Sequence, residues 1–238
     1  MLFKSNRSVE RFTNRQDAGR LLANALLPYV ADIPRHNLIV LGLARGGVTV
    51  AAEVAAILGA RLDACVVRKI GSPTQPELAI GAVAPNGVRV LNRGLIADIG
   101  ISRQGVDQLT ATVEENRQSL DKQLRSGRPL PDLSGKTVVL VDDGLATGAT
   151  MRAALEYARH RAQSVIIAVP TASPDVIDAF ELQGISTLSL IAPRNFRSVG
   201  LWYDSFDEVT NEEVISLLRE ASRSVALESS GHNTAPGR

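Results

Sequence analysis

Cysteine is nearly missing from this chain. Cys65 is the only one in 238 residues, so no internal disulfide and no cysteine-cluster zinc site can form. It lies in the apolar run Leu62-Asp63-Ala64-Cys65-Val66-Val67, where a buried strand thiol is expected rather than a nucleophile. Aromatic residues make up only 4%, which argues against a base-stacking platform for nucleic acid. Neither sign of charge dominates. Lys and Arg number 26 against 25 Asp and Glu, and a net charge of +1 gives no electrostatic basis for a nucleic-acid or membrane partner. No stretch approaches the ~18 uninterrupted apolar residues of a membrane-spanning helix. The opening residues, MLFKSNRSVERF, lack the apolar core of a signal peptide, so the expected compartment is the cytoplasm. His36, His160 and His232 show no metal-ligand spacing, and no internal repeat is visible.

What remains is the mixture of an ordinary globular protein, 45% hydrophobic and 21% charged. Apolar residues at 18, 21, 22, 25, 26 and 29 make a helical stripe over Asp17 to Tyr29. Asn37 to Leu43 is a short apolar strand, Val48 to Leu58 an alanine- and valine-rich helix stopped by Gly59, and Leu62 to Val67 a second strand. A strand–helix–strand unit implies parallel pairing. The rhythm breaks over 68–95, where two weakly alternating pieces, Leu78–Ala84 and Val88–Leu91, flank Pro85-Asn86-Gly87 and predict a hairpin on a long mobile excursion. A polar helix follows over 103–126. The alternation then resumes with strands at Thr137–Val141, Ser164–Val169 and Ile185–Ile191 and helices at Ala149–Arg161 and Pro174–Leu182. The expected fold is therefore α/β: five short strands in a mainly parallel sheet with helices on both faces. One domain is expected over 1–222, with its core at about 37–191. A small hood would come from the terminal segments and part of 70–95. A last helix is expected from about Asn211, and a disordered tail over 223–238.

The stretch Val138-Val-Leu-Val141-Asp142-Asp143-Gly144-Leu145-Ala146-Thr147-Gly148-Ala149-Thr150-Met151 carries the chemistry. A buried strand ends in two acids, where open α/β sheets bind ligands. A loop of small residues then opens a helix, so backbone amides and the hydroxyls of Thr147 and Thr150 gather at a helix N-terminus, a ready anion site. Carboxylates repel phosphate, so Asp142 and Asp143 imply a ligand that also offers hydroxyls a few ångströms away, as a ribose 5-phosphate does. They could also hold magnesium, directly or through water. With no cationic partner evident in the sequence, the paired charge is expected to cost stability in the empty protein. Rival motifs fail. Gly42 and Gly47 have P-loop spacing, but Val48-Thr49 stands where Lys-Ser/Thr is needed, and no G-x-G-x-x-G is present.

The stretch 138–151 resembles the phosphoribosyl-pyrophosphate (PRPP) signature of type I phosphoribosyltransferases, nearest to the adenine-type version. Two further segments agree. Leu43-Ala44-Arg45-Gly46-Gly47 stands where that family has its pyrophosphate loop, and Val67-Arg68-Lys69-Ile70-Gly71-Ser72-Pro73 where its mobile catalytic loop begins. From Phe12 to about Leu218 the chain is similar to a group of bacterial phosphoribosyltransferases of unestablished substrate, which share Pro76-Glu-Leu-Ala-Ile-Gly-Ala82 and the Phe196 to Tyr203 pattern. The resemblance implies transfer of a 5-phosphoribosyl group from PRPP to a nitrogenous, nucleobase-like acceptor, with Mg2+ as cofactor and pyrophosphate released. It implies Asp142 and Asp143 on the ribose hydroxyls and Ala146, Thr147, Gly148, Ala149 and Thr150 around the 5-phosphate. Arg45, Gly46 and Gly47 would hold the pyrophosphate behind a cis Ala44–Arg45 bond. Lys69 and Arg68 would act on the leaving group together with Asp143 as catalytic residues. Trp202 and Tyr203 are either core anchors or a platform for the acceptor, and Glu77 is either a solvated acid or a group reaching into the closed site. Ala146 replaces the aspartate of hypoxanthine- and guanine-type relatives and argues against that subtype. A homo-oligomer, a dimer, is expected. The alternatives are a non-catalytic PRPP- or nucleotide-binding regulator and a hydrolase or phosphorylase acting on a ribose phosphate.

Overall fold

Strands that are apolar at every position must be covered on both faces, and two of them set the middle of the molecule. Strand β2 (Leu38–Leu43) is buried along its whole length, and so is β7 (Thr137–Val141). They pair in parallel, Leu38 opposite Thr137 and Gly42 opposite Val141. The computed structural model describes residues 3–4 and 10–231. The other strands are β1 (Phe3–Lys4), β3 (Arg61–Cys65), β4 (Arg68–Gly71), β5 (Ala79–Ala84), β6 (Val88–Leu91), β8 (Ser164–Thr171) and β9 (Ser186–Ile191). The parallel sheet has the order β9-β8-β7-β2-β3, with the two-residue β1 added at the β9 edge. This is the α/β fold expected from the sequence.

The helices are α1 (Arg15–Val30), α2 (Gly46–Leu58), α3 (Arg93–Asp98), α4 (Arg103–Arg125), α5 (Ala149–Arg159), α6 (Pro174–Glu181) and α7 (Asn211–Gly231). The two-residue period of the strands divides the core between them. Val40, Leu62, Val139 and Ala168 face Leu22 and Leu26 of α1, Val54 of α2 and Leu218 of α7. Ile39, Leu41, Val138, Leu140 and Ile167 face Met151 and Leu155 of α5 and Phe180 of α6.

A second, antiparallel sheet, β4-β5-β6, fills the segment that broke the rhythm. The expected hairpin is there, turned at Pro85-Asn86-Gly87, and β4 adds a third strand. The expected strand 62–67 ends early. Its pairing with β2 stops at Cys65 because β2 bends away after Leu43, and the chain re-pairs with β5 from Arg68. One side of this sheet, Ala82 and Ala84, packs on the α5 cluster, while Ile70, Ile80 and Val83 face α3 and α4. Two segments far apart in sequence also meet. Phe12 bridges Tyr203, and Asp204 N–H donates to the Phe12 carbonyl at 2.8 Å. The tail expected to be disordered from 223 is instead helical as far as Gly231. Val214 and Leu218 anchor α7 on the core, and strong helix formers such as Ala226, Leu227 and Glu228 extend it. Residues 232–238 of that expected tail lie outside the described residues.

Candidate active site

The chain leaves β2 toward β3 on one side and returns as β7 on the other, so the strand order reverses between β2 and β7. Open α/β sheets bind ligands in the crevice at such a reversal, outside the carboxyl ends of the strands. Three segments meet there: residues 44–47 after β2, Asp142–Asp143 after β7, and 145–150 leading into α5.

Residues 44–47 lie directly on the acid turn. A Cβ on Gly46 would sit 2.0 Å from Asp143 Oδ2, and one on Gly47 would sit 2.8 Å from both Asp142 Cα and the Val141 carbonyl oxygen. Only glycine permits that approach. The Ala44–Arg45 bond is cis, as expected. Arg45, one residue outside the glycines, donates to the Glu208 carboxylate.

The acid turn does have a cationic partner, contrary to expectation. Arg15 Nε donates to Asp143 Oδ2 at 2.8 Å, and Arg15 Nη1 donates to the Asp207 carbonyl at 2.7 Å. The same guanidinium lies 3.8 Å from the centre of the Phe206 ring. From behind, Tyr203 Oη donates to the Asp143 carbonyl at 2.6 Å. Asp142 has no such cation. Among the described residues its Oδ1 accepts only from Asp143 N–H, at 2.9 Å. Burial, and then the neighbouring Asp143 charge, push the Asp142 carboxyl well above the usual carboxylate range, against the pull of Lys69 and Arg15. Burial raises Asp143 as well, with Arg15 opposing.

The loop before α5 is held from outside and left open within. Leu145 N–H donates to the Thr171 carbonyl, Ser173 N–H to the Leu145 carbonyl, and Arg152 Nη1 to the Thr147 carbonyl at 2.7 Å. Gly148 has φ +70°, and a Cβ there would strike Val176 at 2.8 Å. Among the described residues, the amides of Ala146, Thr147, Gly148, Ala149 and Thr150 donate to no protein acceptor, and the Thr147 and Thr150 hydroxyls are unpaired. Free amides at the positive end of α5 form an anion cradle.

Lys69 is exposed on β4, and its charge reaches Asp142. It borders a groove of about 510 Å³ with Thr147, Ala149 and Arg152 on one side and Glu77, Leu78 and Asn92 on the other. Glu77 is thus at the rim of that groove. Arg68 and Lys69 together border a second recess with Asn116, Gln123 and Asn211. Among the described residues Arg68 makes no bond to the acid turn. The acceptor-platform reading of Tyr203 is corrected. Tyr203 is 2% exposed and wedged between Phe12 and Phe206, at centroid distances of 5.3 and 5.0 Å. A buried phenol needs a hydrogen-bond acceptor, and this one finds the acid turn. Trp202 packs into the same aromatic cluster.

Arg15 and Glu208 escaped the sequence reading. Arg15 carried one usable signal. It is the first residue of α1 after the Asn14 cap, where the helix dipole disfavours a cation, so a second obligation was legible there. Glu208 carried none.

An open amide cradle and a carboxylate pair thus stand together at the reversal point of a parallel α/β sheet, where open sheets of this kind bind ligands. The phosphoribosyl transferase domain model matches residues 8–177, and the chain belongs to that family. TT1426 from Thermus thermophilus is 39% identical and superposes with a TM-score of 0.74, over 88% of this chain and 98% of that one. Two Mycobacterium tuberculosis proteins with the provisional name phosphoribosyl transferase, Rv0571c of strain H37Rv and MT0597 of strain CDC 1551, are each 41% identical over 219 residues. The match takes in 92% of this chain and 48% of each relative, so the chain spans about half the length of these curated relatives.

Proposed function

We propose that the chain transfers the 5-phosphoribosyl group of PRPP to a nitrogenous acceptor. The observation that carries this reading is the five-amide cradle at 146–150, next to a carboxylate pair that is itself in contact with the 44–47 loop. In this reading Thr147 to Thr150 hold the 5-phosphate, and Asp142 and Asp143 accept from the ribose hydroxyls. Arg45 and the amides of Gly46 and Gly47 face the pyrophosphate. Lys69 stabilises the charge that grows on it as the bond from ribose C1 to oxygen breaks and the electron pair leaves with pyrophosphate. The acceptor nitrogen then forms its bond to C1 and gives up its proton. A C1 that loses its leaving group early resembles an oxocarbenium ion, which the nearby carboxylates favour electrostatically. Arg68 has no role at the reacting centre in this scheme.

Magnesium fits the donors present. Asp142 and Asp143 are hard oxygen ligands, and a cation beside them would offset the burial and the neighbouring charge that raise the Asp142 carboxyl. Among the described residues no three His, Cys, Asp or Glu side chains are grouped to cage a metal, which suits an ion that arrives on substrate phosphates. When bound, it would neutralise pyrophosphate oxygens. No helix among the described residues is long and apolar enough to cross a membrane. A cytoplasmic setting and a homodimer belong to the same proposal.

The test is pyrophosphate release from magnesium–PRPP across a panel of nucleobases and small amines. Release that depends on one acceptor supports the transferase. Tight PRPP binding without acceptor-dependent release supports the regulator, and absence of PRPP binding ends both readings.

A further inference from the structure

The cation of the 44–47 loop is already engaged by the chain itself. Arg45 donates to Glu208, 163 residues further on. Glu208 sits in a strap, residues 204–210, that is fixed on both sides without this contact. Before it, Asp204 and Ser205 N–H donate to the carbonyls of Phe12 and Thr13 at 2.8 and 3.0 Å, and the Asp207 carbonyl accepts from Arg15. After it, Thr210 N–H donates to Glu213 in the first turn of α7 at 2.7 Å. The strap therefore presents a carboxylate to Arg45 whether or not the ion pair forms. The pair is superficial, with the Glu208 side chain 78% exposed and that of Arg45 35%. Exposed pairs add little to stability, so the fold does not depend on it. An anion that comes to Arg45 must replace one that is already there.

We propose that Glu208 is an internal ligand of Arg45, displaced by the pyrophosphate group of the substrate, and that this carboxylate sets how tightly the site holds the pyrophosphate half of PRPP. The proposal rests on the reading of Arg45 as a pyrophosphate ligand. Two effects act in the same direction. The incoming group must break an ion pair, and the displaced carboxylate stays nearby on its anchored strap and repels a polyanion. The same pair re-forms when pyrophosphate departs, which favours release of the leaving group. Ribose 5-phosphate places nothing at Arg45 and is indifferent to Glu208.

The experiment compares the full chain with its Glu208→Gln variant by calorimetric titration of magnesium pyrophosphate, magnesium–PRPP and ribose 5-phosphate. The variant is expected to bind pyrophosphate and PRPP about three- to tenfold more tightly and ribose 5-phosphate equally well. Without any ligand, phenylglyoxal should modify Arg45 faster in the variant, as read by peptide mass. Unchanged or weaker pyrophosphate binding, with ribose 5-phosphate binding intact, overturns the proposal, because Glu208 would then orient Arg45 or do nothing. An unchanged rate of Arg45 modification overturns it as well. If neither protein binds any of the three ligands, the phosphoribosyl reading itself is wrong and the proposal falls with it.

Discussion

The loop that opens α5 and the acid turn just before it are neighbours in sequence and opposites in construction. Residues 145–150 are held by partners close by in the fold, and their ligand-facing amides are left unused. Asp143 is wired to Arg15 and Tyr203, 128 and 60 residues away in sequence, and Arg45 is wired to Glu208. The difference is electrostatic. A backbone anion cradle carries only partial charges, so it can stand empty at little cost and be encoded in a short stretch. An ionised carboxylate at a half-buried turn needs a counter-charge from wherever topology allows, and Asp143 has one in Arg15.

If that contrast is right, loss of the unused hydroxyls of the cradle should harm ligand binding alone, and loss of the buried partners of the acid turn should harm stability too. The largest effect is expected from Gly46→Ala, whose methyl group would collide with Asp143. PRPP affinity should fall by more than about a hundredfold, and stability by about 1–3 kcal/mol, measured by titration and by denaturant unfolding. Near-normal affinity would show that the 44–47 loop is not tied to the acid turn.

The two aspartates should then separate. Each change to asparagine should weaken PRPP binding roughly 10- to 100-fold. Asp143→Asn leaves Arg15 without its counter-ion and should cost about 1–3 kcal/mol of stability. Asp142→Asn should cost nothing and could add up to ~1 kcal/mol at neutral pH. A carboxyl whose folded pKa is raised penalises the folded state fully above that pKa, and the penalty vanishes only as pH falls to the ordinary carboxylate range, so that gain should fade progressively as the ligand-free protein is acidified. Thermal midpoints of both variants at neutral and acidic pH decide the matter, and equal midpoints would erase the distinction between the residues.

On the open side, Thr150→Val should lower PRPP affinity about five- to tenfold and leave the midpoint unchanged, since the hydroxyl has no partner among the described residues. A marked loss of stability would mean the cradle is not idle. The smallest effect is expected from Tyr203→Phe, which deletes the bond to the Asp143 carbonyl. About 1 kcal/mol of stability should go, with PRPP affinity changed by only a few-fold. A large affinity loss with stability intact would restore Tyr203 to the binding surface.

The same contrast marks what the sequence could tell. The parallel sheet was legible because apolar strands such as Leu38–Leu43 and Thr137–Val141 leave few alternatives, and the cradle because strand, acids, small residues and helix start follow one another. Tyr203 was harder. An aromatic near a site reads equally well as core or as platform, and only its burial beside Phe12 decides. Arg68 and Lys69 share one recess, but among the described residues only Lys69 also borders the groove beside Thr147 and Ala149, a difference that two adjacent cations in a sequence do not show. Arg15 and Glu208 depend on contacts spanning most of the chain, and no local pattern encodes such a contact.

The central strand pairing has a consequence for how the molecule is made. Leu38 meets Thr137 only after a loop of roughly a hundred residues has closed, which is entropically dearer than forming either flanking strand–helix–strand unit. The unit β2-α2-β3 carries the 44–47 loop, and β7-α5-β8 carries the acids and the cradle. Each is one lip of the crevice, and neither alone is a binding site. The site therefore needs this long-range pairing as well as the two local units. A ligand that spans both lips can hold only the completed molecule, so its mark on kinetics is slower unfolding, not faster folding.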